Sequence, residues 1–97
     1  MDAAPGSDPS VRREVTFIGN VQGVGFRYTA CRIAAGYDVV GYVKNLPDGR
    51  VELLAEGPSD QIDAFLAELG ERMSGHITDQ LAQTSEPSGR YQKFAFA

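Results

Sequence analysis

The spacing of apolar residues changes several times along this chain. The order of these changes constrains the fold more than any other feature of the sequence. From Arg13 the pattern is that of an extended strand, with Val15, Phe17 and Gly19 on one face and Thr16 and Ile18 on the other. Residues 26–35 carry apolar side chains at helical spacing and predict a helix that ends near Gly36. Residues 39–44, rich in Val and Tyr, and residues 51–56, which alternate again, predict two strands joined by a tight turn. The first half therefore runs strand, helix, strand, strand.

The second half adds another helix and weaker strands. Pro58 fits the first turn of a helix, with Gly57 or Ser59 as its cap. Residues 77–82 and 91–96 have the composition of short strands. The stripe of the second helix that we expect to be buried consists of four apolar residues: Ile62, Phe65, Leu66 and Leu69.

This order of elements predicts an α+β fold, the ferredoxin-like split βαβ sandwich (βαββαβ). We expect an antiparallel sheet with two helices on one face and a short C-terminal edge strand. A chain of 97 residues has room for one hydrophobic core, so residues 11–97 are expected to form a single domain. Residues 1–10, with two prolines and two aspartates, are expected to be a flexible tail. The fold supports many functions and does not select one.

Composition limits the partners of the chain. Its net charge of −4 disfavours nucleic acid, whose phosphate backbone calls for a basic protein face. No apolar stretch reaches the roughly 18 residues that span a bilayer, so we expect a cytoplasmic protein without a membrane partner. Cys31 is the sole cysteine and has no histidine nearby in the sequence to activate it as a nucleophile. His76 is the sole histidine and has no second ligand at metal-binding spacing. We therefore expect no metal and no cofactor.

A glycine-rich stretch between the first strand and the first helix is the best candidate for a functional site. Gly19, Gly23 and Gly25 fall within seven residues there. Glycine permits positive φ, which turns successive main-chain N–H groups to one side, and the helix start adds unpaired N–H groups. Arg27, in the first helical turn, would add a guanidinium that matches phosphate oxygens. The stretch predicts an anion site, although a plain turn is the commoner meaning of such glycines taken alone.

The predicted topology adds Asn45 to this site. In a split βαβ unit the first and second strands run in the same direction, so their carboxyl ends lie at one edge of the sheet. The glycine-rich loop leaves the first strand there, and Asn45 ends the second. We therefore expect Arg27 and Asn45 to converge. The alternative for Asn45 is a turn-forming role before Leu46-Pro47.

Three motifs resemble the acylphosphatase family: Val21-Gln22-Gly23-Val24-Gly25-Phe26-Arg27, Gly41-Tyr42-Val43-Lys44-Asn45 and Asp48-Gly49-Arg50-Val51-Glu52. The resemblance covers residues 13–96. It implies an enzyme that hydrolyses the carboxyl–phosphate bond of acyl phosphates, with inorganic phosphate as product and inhibitor. It also implies that Arg27 binds the phosphate and Asn45 orients the attacking water. The phosphate-binding loop would comprise Gln22, Gly23, Val24, Gly25, Phe26 and Arg27. We expect the protein to be a monomer.

Two positions depart from the family's pattern, and two other functions compete with it. Asn20 stands where many members have a basic residue. The C-terminal residues Phe94-Ala95-Phe96-Ala97 are plainer than the aromatic or basic ending that is usual in the family. One alternative is a non-catalytic anion-binding module, such as the acylphosphatase-like module of carbamoyl-phosphate-handling maturation proteins. An end at Ala97 without a further domain makes that module the less expected function. The other alternative, an RNA-binding or regulatory domain of this fold, conflicts with the acidic balance.

Overall fold

The computed structural model describes residues 8–97 of the chain. Its elements confirm the predicted order and its short terminal strand. Of the predicted tail, residues 1–7 lie outside the described residues, whereas Ser10 belongs to the first strand. The helices and strands are β1 (Ser10–Gly19), α1 (Phe26–Ala34), β2 (Val40–Asn45), β3 (Val51–Pro58), α2 (Ser59–Arg72), β4 (Ile77–Ser85) and β5 (Phe94–Phe96).

The five strands form one open sheet in the order β4-β1-β3-β2-β5. Neighbours among the first four strands are antiparallel, whereas β5 runs parallel to β2, so the sheet is mixed. Both β1 and β2 are antiparallel to β3 and so run in the same direction. Their carboxyl ends therefore lie at one edge, as the ferredoxin-like α+β fold requires.

The core lies between the two helices and one face of the sheet. Val15 and Phe17 of β1 are each 1% exposed, which confirms the alternation expected for the first strand. The predicted stripe of α1 is buried throughout, and that of α2 is buried except for the partly exposed Leu66. These helical residues are Phe26, Ala30, Ile33 and Ala34 in α1, and Ile62, Phe65 and Leu69 in α2.

The start of α2 differs from the prediction. Pro58 lies at the N-cap position as the last residue of β3, with φ −59° and ψ 137°, and no side chain of residues 8–97 caps the helix. The predicted caps Gly57 and Ser59 were wrong because β3 continues to Pro58, which pairs with Ser10 of β1. The main-chain N–H of Ser59 instead donates to the carbonyl of Pro9 at 3.1 Å.

Strand lengths also differ from the prediction. β4 continues three residues past Ala82 because it pairs with β1 as far as Ser85. β5 begins only at Phe94, where its pairing with Gly41 of β2 starts. The ring of Tyr91, ahead of β5, packs against that of Tyr42 with 6.0 Å between centroids. Within residues 8–97 neither helix combines the length and the apolar character needed to cross a membrane.

Candidate active site

The loop between β1 and α1 is shaped by two glycines. Gly23 and Gly25 have φ of 77° and 79°, in the left-handed region that side chains other than glycine rarely adopt. An added Cβ at either position would meet no atom within 4 Å, so backbone conformation rather than crowding favours glycine. The loop is anchored where it leaves β1, because the N–H of Asn20 donates to the carbonyl of His76 at 2.9 Å.

The main-chain N–H groups of residues 22–28, in this loop and in the first turn of α1, form a run of unpaired donors within the described part of the chain. Gly25 is the N-cap of α1, and the first helical hydrogen bond joins the N–H of Thr29 to the carbonyl of Gly25 at 2.9 Å. Among the described residues, none accepts a hydrogen bond from the N–H groups of residues 22–28. Seven consecutive free donors at the positive end of a helix dipole are suited to bind an anion.

The structure brings Arg27 and Asn45 to one hollow of about 160 Å³. Arg27 comes from the first turn of α1 and Asn45 from the end of β2, so the shared sheet edge places them together. Among residues 8–97, no acidic residue lines the hollow, and Arg27 gives it a positive charge on a chain that is negative overall. The remaining lining residues are Val21, Gly23, Gly25, Phe26, Tyr28 and Phe96.

Two residues of the predicted phosphate loop do not line the hollow. Val24 packs its side chain against the hydrophobic core. The side-chain nitrogen Nε2 of Gln22 donates to the main-chain carbonyls of Leu46 and Arg50, at 2.7 and 2.9 Å. These bonds tie the loop to the turn that follows Asn45. Sequence reasoning missed this contact, because nothing in the pattern indicates which distant carbonyls a glutamine side chain will reach.

The plain C-terminal ending contacts the site. The guanidinium carbon of Arg27 lies 5.1 Å from the centroid of the Phe96 ring, a distance at which cation and ring attract each other. The N–H of Ala97 donates to the carbonyl of Val43 at 3.0 Å and holds Phe96 beside β2. Arg27 joins none of the ion pairs found within residues 8–97. Its N–H groups are thus not engaged by a carboxylate of the described residues.

Cys31 and His76 lie outside the hollow. Burial raises the pKa of the Cys31 thiol, and the charge of Arg27 offsets only part of this effect. A raised pKa keeps the sulfur protonated and makes it a poor nucleophile. His76 immediately precedes β4, and its main-chain N–H donates to the carbonyl of Met73 at 2.9 Å. Neither side chain contributes to the candidate site.

A protein-family model described as acylphosphatase matches residues 13–96. The chain belongs to the acylphosphatase family. The acylphosphatase of Burkholderia thailandensis is 38% identical over 93 residues, which cover 92% of this chain and 95% of that protein. The acylphosphatase of Methylococcus capsulatus is 52% identical over 56 residues, and this match spans 58% of this chain and 61% of the relative.

Solved structures share the fold. The crystal structure of acylphosphatase from Bacillus subtilis has a TM-score of 0.80 and 32% identity, over 90% of this chain and 98% of that one. The structure of T. kodakarensis HypF has a TM-score of 0.75 and 32% identity, over 88% of this chain but 11% of the other. The fold thus occurs both as a short acylphosphatase and as a small part of a longer chain.

Proposed function

We propose that this member of the acylphosphatase family is itself an acylphosphatase. It hydrolyses the carboxyl–phosphate bond of acyl phosphates by direct attack of water, without a metal. The observation that carries the proposal is the run of seven unpaired N–H groups at residues 22–28, next to a hollow shared by Arg27 and Asn45. The family match over residues 13–96 supports it.

The phosphoryl group binds to the free main-chain N–H groups and to Arg27. A phosphoryl dianion presents three oxygens, and unpaired amides at a helix N-terminus are suited to receive them. Phe96 packs on Arg27 without accepting a hydrogen bond, so the guanidinium keeps its N–H donors for the substrate. These donors also stabilise the charge that develops as the P–O bond breaks.

Asn45 holds the attacking water in line with the leaving carboxylate. Its carboxamide both donates and accepts hydrogen bonds, so it orients a water molecule without removing a proton. The side chain of Gln22 fixes the turn that begins after Asn45 and thereby limits the movement of that strand end. Positioning of this kind supplies a large part of the rate enhancement in phosphoryl transfer.

The chemistry requires no acid or nucleophile from the protein. Water oxygen bonds to phosphorus, the bond to the bridging oxygen breaks, and the carboxylate leaves with the electron pair. The water proton passes to a phosphoryl oxygen, which gives dihydrogen phosphate. Because a carboxylate leaves unprotonated, a general acid has no task here. This agrees with the lining of the hollow, whose titratable side chains are Arg27 and Tyr28.

Hydrolysis of benzoyl phosphate in the presence of EDTA tests the proposal. Wild-type activity should survive the chelator. Asn45→Ala should lower kcat by about 10²-fold, because it removes a transition-state contact, and should leave inhibition by phosphate nearly unchanged. Asn20→Ala is the matched control, since Asn20 is exposed at the start of the same loop and does not line the hollow. Loss of activity in EDTA, or an Asn45→Ala variant with normal turnover, would contradict the mechanism.

The likeness to part of HypF favours one second candidate, a non-catalytic anion-binding module. The same donors would bind phosphate in such a module, but no turnover would follow. Calorimetric titration with inorganic phosphate separates the two candidates when it is combined with the benzoyl phosphate assay. Binding of phosphate without hydrolysis would select the module.

A further inference from the structure

Two exposed aromatic side chains stand at the edge of the hollow. Tyr28 is 59% exposed and Phe96 is 51% exposed, and both line the hollow with Arg27 and Asn45. Among the described residues, one other large apolar side chain is comparably exposed: Leu81, on β4 and outside the hollow. Exposed apolar groups that gather at one place on a small protein commonly mark a binding surface. We call Tyr28 and Phe96 the aromatic rim.

Both rings of the aromatic rim are held in place by the protein. The hydroxyl of Tyr28 accepts a hydrogen bond from Arg32 at 3.2 Å, and the guanidinium carbon of Arg32 lies 5.6 Å from the ring centroid. Phe96 packs on Arg27 and is fixed by the pairing of β5 with β2. A ligand that contacts these rings therefore loses little free energy to ordering them.

The size of the hollow determines which part of the substrate it receives. Its volume of about 160 Å³ is below the roughly 300–1,000 Å³ of pockets that enclose a whole small-molecule ligand. The free N–H groups and Arg27 take the phosphoryl end, for which they provide the donors. The acyl end then projects to the mouth of the hollow, where the aromatic rim lies.

We propose that the aromatic rim binds the acyl group of the substrate and gives the enzyme a preference for acyl phosphates with an aromatic acyl group. This inference rests on the proposed acylphosphatase activity and adds its substrate class. A flat ring packs against tyrosine and phenylalanine in stacked or edge-to-face geometry, which an acetyl group cannot reproduce. For benzoyl phosphate, water and the substrate dianion give benzoate and dihydrogen phosphate. The bridging oxygen leaves with benzoate and the electron pair of the broken P–O bond.

The test compares benzoyl phosphate with acetyl phosphate on the full chain. Each kcat/KM is divided by the uncatalysed hydrolysis rate of the same compound, which removes the difference in intrinsic reactivity. The wild type should favour benzoyl phosphate by about tenfold after this correction. Tyr28→Ala should lower kcat/KM for benzoyl phosphate by about fivefold and leave acetyl phosphate within about twofold. Leu81→Ala, the exposed apolar control, should change neither value.

Phe96→Ala separates contact with the acyl group from support of Arg27. If the Phe96 ring contacts the acyl group, kcat/KM should fall selectively for benzoyl phosphate. If the ring instead supports Arg27, kcat/KM should fall equally for both substrates and inhibition by phosphate should weaken. Equal losses in both Tyr28→Ala and Phe96→Ala, or a wild type without preference, would overturn the proposal.

Acylphosphonates, whose P–C bond is not hydrolysed, distinguish failure of this proposal from failure of the proposed function. Calorimetry should show benzoylphosphonate binding about tenfold more tightly than acetylphosphonate, with the difference lost in Tyr28→Ala. This result in a protein that hydrolyses neither acyl phosphate would support the aromatic rim and refute the activity. Hydrolysis of both substrates without preference would refute the aromatic rim alone.

Discussion

The two ends of the sheet carry similar groups of main-chain donors that differ in what they bind. At one end, the N–H groups of Ser88 and Gly89 donate to the carboxylate of Glu56 at 2.9 and 3.1 Å, and the Ser88 hydroxyl adds a bond of 2.8 Å. Gly89 has φ of 74°, close to the values of Gly23 and Gly25 at the other end. The loop before α1 holds no such carboxylate among the described residues. One group of donors is filled by the protein, and the other is free for a ligand.

The ionised state of Glu56 shows how completely the first group is filled. Burial alone would raise the pKa of this carboxyl. The hydrogen bonds from Ser88 and Gly89, together with Arg12 at 3.9 Å, outweigh burial and hold the pKa below its usual value. The internal anion thereby fixes the chain segment that leads to β5.

Cavity size does not identify the functional end of the molecule. A cavity of about 530 Å³ lies beside Glu56, more than three times the volume of the hollow beside Arg27, about 160 Å³. The availability of unpaired donors distinguishes the two ends, because a filled donor offers no binding energy to a ligand. Four variants test this difference.

Arg27→Gln should have the largest effect. Its guanidinium is the one positive side chain that the described residues place in the hollow, and arginines that stabilise a transferring phosphoryl group contribute about 10³-fold or more. We expect kcat/KM for benzoyl phosphate to fall by about 10³-fold and competitive inhibition by phosphate to disappear. Arg72→Gln, at the exposed end of α2, is the control. Phosphate inhibition that persists in Arg27→Gln would remove Arg27 from the site.

Gly23→Ala and Gly89→Ala form a matched pair with the next largest effect. Both glycines have φ near +75°, and an added Cβ meets no atom within 4 Å at either position. The left-handed conformation should cost each variant about 1–2 kcal/mol of unfolding free energy, measured by urea denaturation. Gly23→Ala alone should weaken inhibition by phosphate by about tenfold, because its loop shifts to relieve this strain and displaces the N–H donors. If both variants weakened inhibition by phosphate equally, the distinction between the two ends would be wrong.

Glu56→Gln should affect stability and spare activity. Replacing a buried carboxylate that accepts three hydrogen bonds should cost about 1–3 kcal/mol of unfolding free energy, with kcat/KM unchanged within about threefold. The extra unfolding free energy of the wild type over Glu56→Gln should be fully present at pH values above the pKa of an unfolded glutamate, about 4.3, because the pKa of Glu56 is lower in the folded protein. It should shrink as the pH falls through the folded pKa. Urea denaturation at neutral and acid pH measures this, and parallel pH profiles of the two proteins would contradict it.

Several contacts of the site were beyond sequence reasoning. The pattern indicated strands and helices but not that β5 would bring Phe96 onto Arg27, because this contact depends on the parallel pairing of β5 with β2. It also gave no sign that Gln22 reaches the carbonyls after Asn45. The cytoplasmic location and the monomeric state stay predictions.

By itself, the sequence determined the order of the elements and the glycine-rich loop with Arg27 in the first helical turn. Both follow from local interactions, because the spacing of apolar residues favours a strand or a helix and glycine permits positive φ. The predicted sheet edge also placed Asn45 near Arg27. Only the tertiary structure decided that Phe96 joins them at one hollow, and that Glu56 fills the opposite group of donors. These outcomes depend on strand register and loop path, which join residues far apart in the chain and leave no local pattern to read.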